Sequence, residues 1–179
     1  GIYRQWPEAK AVVHAHPPHA IAWSVSEPGI TELPNDVLPE VILAAGRIPI
    51  VSYARPGTEA MGENLRSFLP QSRLMILERH GAVAWGESMN EAVGGFERLE
   101  HSAQIFWLGR DLGPPRKIDT EKQKAPGKMR VTLGTRLLAC ARVEVGGIMW
   151  AIVGGFGFEK VDEEEAKGCL LYHYPSPQG

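Results

Sequence analysis

From Ala11 to about residue 110, short β-branched runs alternate with segments of helical period. That alternation constrains the fold more than any other feature, because strands interleaved with helices bury their apolar faces best as a sheet covered by helices. Ala11–His14 (AVVH) reads as a strand. Pro17-Pro18 ends regular pairing after it, and Ala20–Ser26 reads either as a helix or as another extended piece. Asn35 or Asp36 is expected to cap a helix that runs to Ala45 and stops at Gly46. Ile48–Tyr53 reads as a strand, and Arg55–Thr58 as a turn with Thr58 as N-cap. The helix after it presents Met61, Leu65 and Phe68 and ends before Pro70. Arg73–Leu77 and Val83–Trp85 are further strands. The clearest helix runs from Met89 to Leu108, with Ser88 and Glu91 as a capping box and Met89, Val93, Phe96, Leu99, Ala103 and Phe106 as its apolar stripe. Gly94-Gly95 in its middle costs about 1 kcal/mol per glycine relative to alanine, which close packing against a neighbour would offset.

After Gly113-Pro114-Pro115 the character changes. Residues 119–179 form a divergent tail, polar at first and then apolar with paired glycines. A β-hairpin is one reading of Arg142–Val161. Asp162–Lys167 reads as a solvated acidic face, and Pro175–Gly179 as a frayed end.

Composition excludes several classes. A net charge of −2 and a pI near 6.3 give no basic surface for nucleic acid. No run approaches the roughly 18 apolar residues of a membrane helix, and no signal peptide opens the chain, so a cytoplasmic location is expected. Cys140 and Cys169 make no disulfide framework and read as free thiols. Gly-rich phosphate loops, zincin motifs and serine-hydrolase elbows are missing from the sequence.

The chemistry concentrates in histidine. Six are present, three of them in His14-Ala15-His16-Pro17-Pro18-His19. On an extended segment, side chains two apart share a face, so His14 and His16 can hold one cation. Zinc accepts neutral imidazole nitrogens at about 2.0–2.1 Å, and catalytic sites commonly use three protein ligands with one position open. His80 follows a strand and precedes Gly81, which lets the backbone turn sharply, and it is the candidate third ligand. His19, offset by three, is expected on the other face. His101 reads as structural and His173 as solvated. Glu100, between Phe96 and Ala103, reads as a carboxylate that fixes a partner or as a boundary residue.

Three stretches together resemble the class II aldolase/adducin family. They are AVVHAHPPHAIA (11–22), then LPE (38–40) with the Gly46/Pro49 pair and VSYARPGTEAMGENL (51–65), and LMILERHGAVAWGESMNEAVGGFERLEHSAQI (74–105). The resemblance covers about residues 5–118. It implies a three-layer α/β/α sandwich and a divalent metal, usually zinc, held by His14, His16 and His80. Activities in the family include sugar-phosphate aldolases, epimerases and a dehydratase, while adducin-like members serve assembly. In the aldolases the metal polarises the oxygens of a phosphorylated ketose and stabilises charge that develops as a carbon–carbon bond breaks. Symmetric tetramers are the family's usual assembly. The acid/base glutamate and the phosphate loop of the family lie upstream of the histidine pair. Thirteen residues precede His14 here, and Glu8 is too near to match. The resemblance therefore leaves the catalytic acid/base residue unassigned and implies an incomplete N-terminus.

Overall fold

A computed structural model describes residues 1–26 and 29–124, and beyond them the backbone of strands at 140–145, 148–153, 157–160 and 170–173. Four strands form the main sheet, in the order β1-β4-β3-β2. β1 (Ala11–Ala15) runs antiparallel to β4 (Gly81–Gly86), with Ala11 opposite Gly86 and Ala15 opposite Ala82. β4 is antiparallel to β3 (Leu74–Leu77), and β2 (Ile50–Val51) is parallel to β3. A parallel pair needs a crossover, and α3 (Glu59–Arg66) lies on that connection.

Every residue of β3 and β4 is buried, as expected of strands covered on both faces. Alternation divides them. Leu74, Ile76, Ala82 and Ala84 pack with Ala20 of α2 (Pro18–Ser26) and with Leu99, Ala103 and Phe106 of α4 (Met89–Gly109). Met75, Leu77, Val83 and Trp85 pack on the other side with Ile2 of α1 (Ile2–Gln5) and Leu65 of α3. Helices on both faces of a mixed sheet give the expected three-layer α/β/α arrangement. The ambiguous segment at Ala20–Ser26 is helix.

Several local expectations change. The helix expected from Asn35 or Asp36 begins at residue 39 and continues as a π-helical turn over Val41–Ala45. Pro39 disfavours helical geometry at Leu38 while suiting the first helical position itself, so the caps move downstream. Asn35 instead donates to Glu32, and Asp36 pairs with Lys117. Gly46 does stop the turn, at φ 70° with its N–H on Val41 O. Thr58 occupies the N-cap position of α3, but its hydroxyl donates back to Arg55 O.

The stripe of α4 is rotated from the expected one. Met89 is 58% and Val93 39% exposed. The buried face is Ala92, Gly95, Leu99, Ser102, Ala103 and Phe106. Small residues let a helix approach a sheet closely, and Gly94 and Gly95 are both buried. Half of the capping box forms: Ser88 Oγ accepts the Glu91 N–H at 3.1 Å. The Glu91 carboxylate accepts the Glu87 N–H and an Arg73 N–H instead, because a buried guanidinium one strand away outcompetes the backbone of Ser88.

A second sheet has the order β7-β6-β5-β8. β5 (Cys140–Val145) and β6 (Ile148–Val153) are antiparallel, β7 (Gly157–Lys160) extends β6, and β8 (Leu170–His173) lies parallel to β5. The expected hairpin at Arg142–Val161 falls on β5, β6 and β7. Cys169, the acidic run Asp162–Lys167, the terminal Pro175–Gly179 and the side chains of Cys140 and His173 lie outside the described residues.

Candidate metal centre

His14 is the fourth residue of β1, opposite Val83. Its Nδ1 lies 2.9 Å from Ala82 O. A carbonyl only accepts, so Nδ1 carries the proton and Nε2 keeps its lone pair for a ligand. His16 stands one residue beyond the end of the β1–β4 ladder, on the same side as His14 by the strand's period of two. His80 closes the connection between β3 and β4, and its backbone N–H donates to Leu77 O at 3.0 Å.

The three rings converge. Centroids are 5.2 Å apart for His14–His16, 5.0 Å for His14–His80 and 5.1 Å for His16–His80. One nitrogen from each lies within 4.8 Å of the other two. A tetrahedral cation with ligands at 2.0–2.1 Å sets its nitrogens about 3.3 Å apart, so small side-chain rotations bring all three onto one ion. His14 and His16 are exposed and His80 is half-buried, which leaves one side of the cluster open to solvent. Burial and the neighbouring His14 and His16 lower the pKa of His80 below its ordinary value. The neutral imidazole is the ligand form. Among the described residues, His80 Nδ1 is also buried with no hydrogen-bond partner, a state that buried polar groups in proteins rarely keep. A divalent cation therefore fits this cluster.

Gly81 serves the site differently from the expectation. The left-handed backbone belongs to Arg79, at φ 59°. Gly81 is needed for close approach: a Cβ there would stand 2.6 Å from Ala15 O, 2.8 Å from His16 Cδ2 and 3.2 Å from His14 Cε1. Any side chain would push the two halves of the cluster apart.

His19 is not on the opposite face of a strand. Pro17-Pro18 turn the chain into α2, and His19 meets Glu100 of α4, with Nδ1 2.7 Å from Oε1. Glu100 thus fixes a partner, across 81 positions of sequence. His101 is half-buried in α4 and outside the cluster. Glu8 is exposed near the start of β1, the end away from His16. Glu78, two residues before His80, accepts the Tyr53 N–H at 2.8 Å. The sequence reading missed Glu78, Arg79 and Ser24, whose hydroxyl accepts the Arg79 N–H. Glu78 and Arg79 are marked in the sequence only by adjacency to His80, and Ser24, 55 positions from Arg79, by nothing local.

A sequence profile of the family described as Class II Aldolase and Adducin N-terminal domain matches residues 1–107. The chain belongs to this family. It is similar to the 3-oxo-tetronate 4-phosphate decarboxylase of Cupriavidus necator, with 35% identity over 114 residues, 62% of this chain and 51% of that protein. Among solved structures it resembles Escherichia coli YgbL, with TM-score 0.63 and 29% identity over 70% of this chain and 61% of that one. It also resembles the L-fuculose-1-phosphate aldolase of Thermus thermophilus, with TM-score 0.51 and 32% identity over 61% of this chain and 57% of that one. The chain spans about half the length of the curated relatives it matches. Among the described residues, no helix is long and apolar enough to cross a membrane.

Proposed function

We propose that this chain carries the metal-binding core of a lyase that breaks the Cα–Cβ bond beside the ketone of a phosphorylated sugar or sugar acid. The observation that carries this reading is the convergence of His14, His16 and His80, with ligand nitrogens within 4.8 Å of one another. Zinc is the proposed ion, since an all-imidazole set with an open side suits it. When bound, the cation supplies Lewis-acid stabilisation of negative charge on the substrate's carbonyl oxygen. The residues of the chain present and orient the ligand atoms. Ala82 O fixes the tautomer of His14, Gly81 permits the approach, and burial, with His14 and His16 beside it, favours the neutral form of His80.

Two reactions fit that chemistry, and they share a product. A 3-oxo-tetronate 4-phosphate loses its carboxylate as carbon dioxide, and the enolate left behind takes a proton from solvent to give dihydroxyacetone phosphate. Fuculose 1-phosphate, cleaved by a retro-aldol step, leaves an aldehyde and the same triose phosphate. The 35% identity to a decarboxylase supports the first, and the likeness to an aldolase supports the second. A sugar-phosphate epimerase or dehydratase would use the same cluster. A non-catalytic, adducin-like assembly role has no need of three converging imidazoles. Assembly into homo-oligomers, tetramers by analogy with the family, belongs to the same proposal.

Metal analysis of the purified chain tests the reading. Wild type should hold about one zinc per chain and His80→Ala should hold little, because three ligands are the usual protein set; a metal-free wild type would end it. Triose phosphate release from both substrates, with carbon dioxide and aldehyde measured separately, then distinguishes the two reactions.

A further inference from the structure

The three histidines are not held alike. His14 lies inside the β1–β4 ladder, and its ring bonds Ala82 O. His80 is tied to Leu77 through its own N–H. His16 stands past the last paired residue, Ala15, so the sheet does not hold it. The link that follows it is stiff: Pro17 and Pro18 have locked φ angles, and α2 begins at Pro18. Wherever the first turn of α2 is pinned, His16 is pinned as well.

Glu100 pins that turn. Its Oε1 accepts the His19 N–H at 3.1 Å and meets His19 Nδ1 at 2.7 Å, and its Oε2 accepts the Ala20 N–H at 3.0 Å. The donors at His19 and Ala20 are among those a helix start leaves without intrahelical partners, and here a carboxylate from another helix takes both. The side chains of His19 and Glu100 are 27% and 24% exposed, so water competes only partly. Ile21 N–H closes the turn onto Pro17 O at 3.0 Å.

We infer that Glu100 is a positioning residue of the metal centre, acting through His19, the start of α2 and the Pro17-Pro18 link to set the place of His16. This rests on the triad reading proposed above. A residue that only stabilised the fold would lower the melting temperature without changing the affinity or ligand field of the bound ion.

The test uses cobalt(II) titration of the full chain, read by affinity and by the ligand-field absorption of the bound ion. Glu100→Ala should weaken cobalt binding about 10–100-fold, the usual scale for removing a group that orients metal ligands, and should alter the absorption. Glu100→Gln keeps one acceptor oxygen for α2 and should recover part of the loss; it carries the comparison alone if Glu100→Ala does not fold. Glu91→Gln, which removes charge from an ion pair on α4 away from His19 and Ala20, should lower stability and leave cobalt affinity within about twofold, as distant independent sites do. Wild-type affinity and spectrum in both Glu100 variants would overturn the inference, as would an equal loss in Glu91→Gln. A wild-type chain that binds no cobalt overturns the triad itself; one that binds cobalt equally well without Glu100 overturns this inference alone.

Discussion

Strands β3 and β4 carry a polar cluster at each end, and the two clusters are built on opposite principles. At the end where β3 begins and β4 finishes, Arg73 is 2% exposed and bonds Glu91 at 2.8 Å and Glu87 at 2.9 Å. Its guanidinium lies 4.4 Å from the centroid of the Trp85 ring, and Trp85 Nε1 donates to Ser72 O. Protein atoms meet protein atoms throughout. At the other end, His14, His16 and His80 face one another, and among the described residues no carboxylate joins the cluster and His80 Nδ1 has no hydrogen-bond partner. Buried charge survives in a fold when it is paired. Imidazoles gathered without an acidic partner suit a cation supplied from outside. The closed cluster is paired within the protein and the open one is not, although both lie at ends of the β3–β4 pair, with β1 bringing His14 and His16 to the open end.

The largest effect that tests this contrast is expected at the closed end. Arg73→Leu leaves Glu91 buried without its cation, and breaking a buried pair by removing one partner costs about 3–5 kcal/mol. Denaturant unfolding should show that loss, while a variant that still folds should bind metal with the same stoichiometry as wild type. Loss of metal with the fold intact would mean that the two ends are coupled. Gly81→Ala is the matching change at the open end. Its Cβ would meet Ala15 O at 2.6 Å, and a backbone atom cannot rotate away. Overpacking of this kind costs about 1–3 kcal/mol, and metal content should fall along with stability. An alanine variant that keeps full metal occupancy would show that the approach of β1 to the β3–β4 turn is not what assembles the triad.

The open end was legible in the sequence and the closed end was not. His14 and His16 share a face by the period of a strand, and His80 stands beside a glycine at a strand end, so local spacing marks all three. Arg73 reads as an ordinary strand residue, because nothing in Arg73–Leu77 shows that Glu87 and Glu91 lie beside it. Spacing alone makes Glu91 one half of a capping box, whereas the long-range guanidinium of Arg73 takes its carboxylate. Met89 and Val93 misled in the same way: side-chain size suggested a core face, whereas the sheet selected the small residues Ala92, Gly95 and Ser102 for close packing. Glu100 interrupts an apolar stripe, which marks a buried partner without naming it. The layers were legible from alternation, but strand order and direction depend on contacts between distant residues.

A smaller effect separates geometry from function within the β3–β4 turn. Arg79 holds φ 59°, a conformation that costs a non-glycine residue roughly 1–2 kcal/mol. Arg79→Gly relieves that strain, while glycine adds freedom to the unfolded chain. The two terms offset, so stability should change by less than about 1 kcal/mol, with metal binding unchanged. A marked loss of metal in Arg79→Gly would make the guanidinium part of the site rather than a passenger on its turn.

The smallest effect is the most diagnostic of openness, and its sign follows from His80. Burial first, and then His14 and His16, lower its folded pKa beneath the ordinary 6.5. Between the lowered value and 6.5 the unfolded chain binds more protons than the folded one, so stability rises with pH across that window. The metal-free chain should therefore keep the contribution of a neutral His80 above pH 6.5 and lose it as pH falls toward the folded pKa. His80→Gln should flatten that limb, because it removes the imidazole that titrates there. Unfolding free energies at several pH values in a chelating buffer supply the measurement. A slope that survives in His80→Gln would assign the proton to another group and remove this distinction between the two ends.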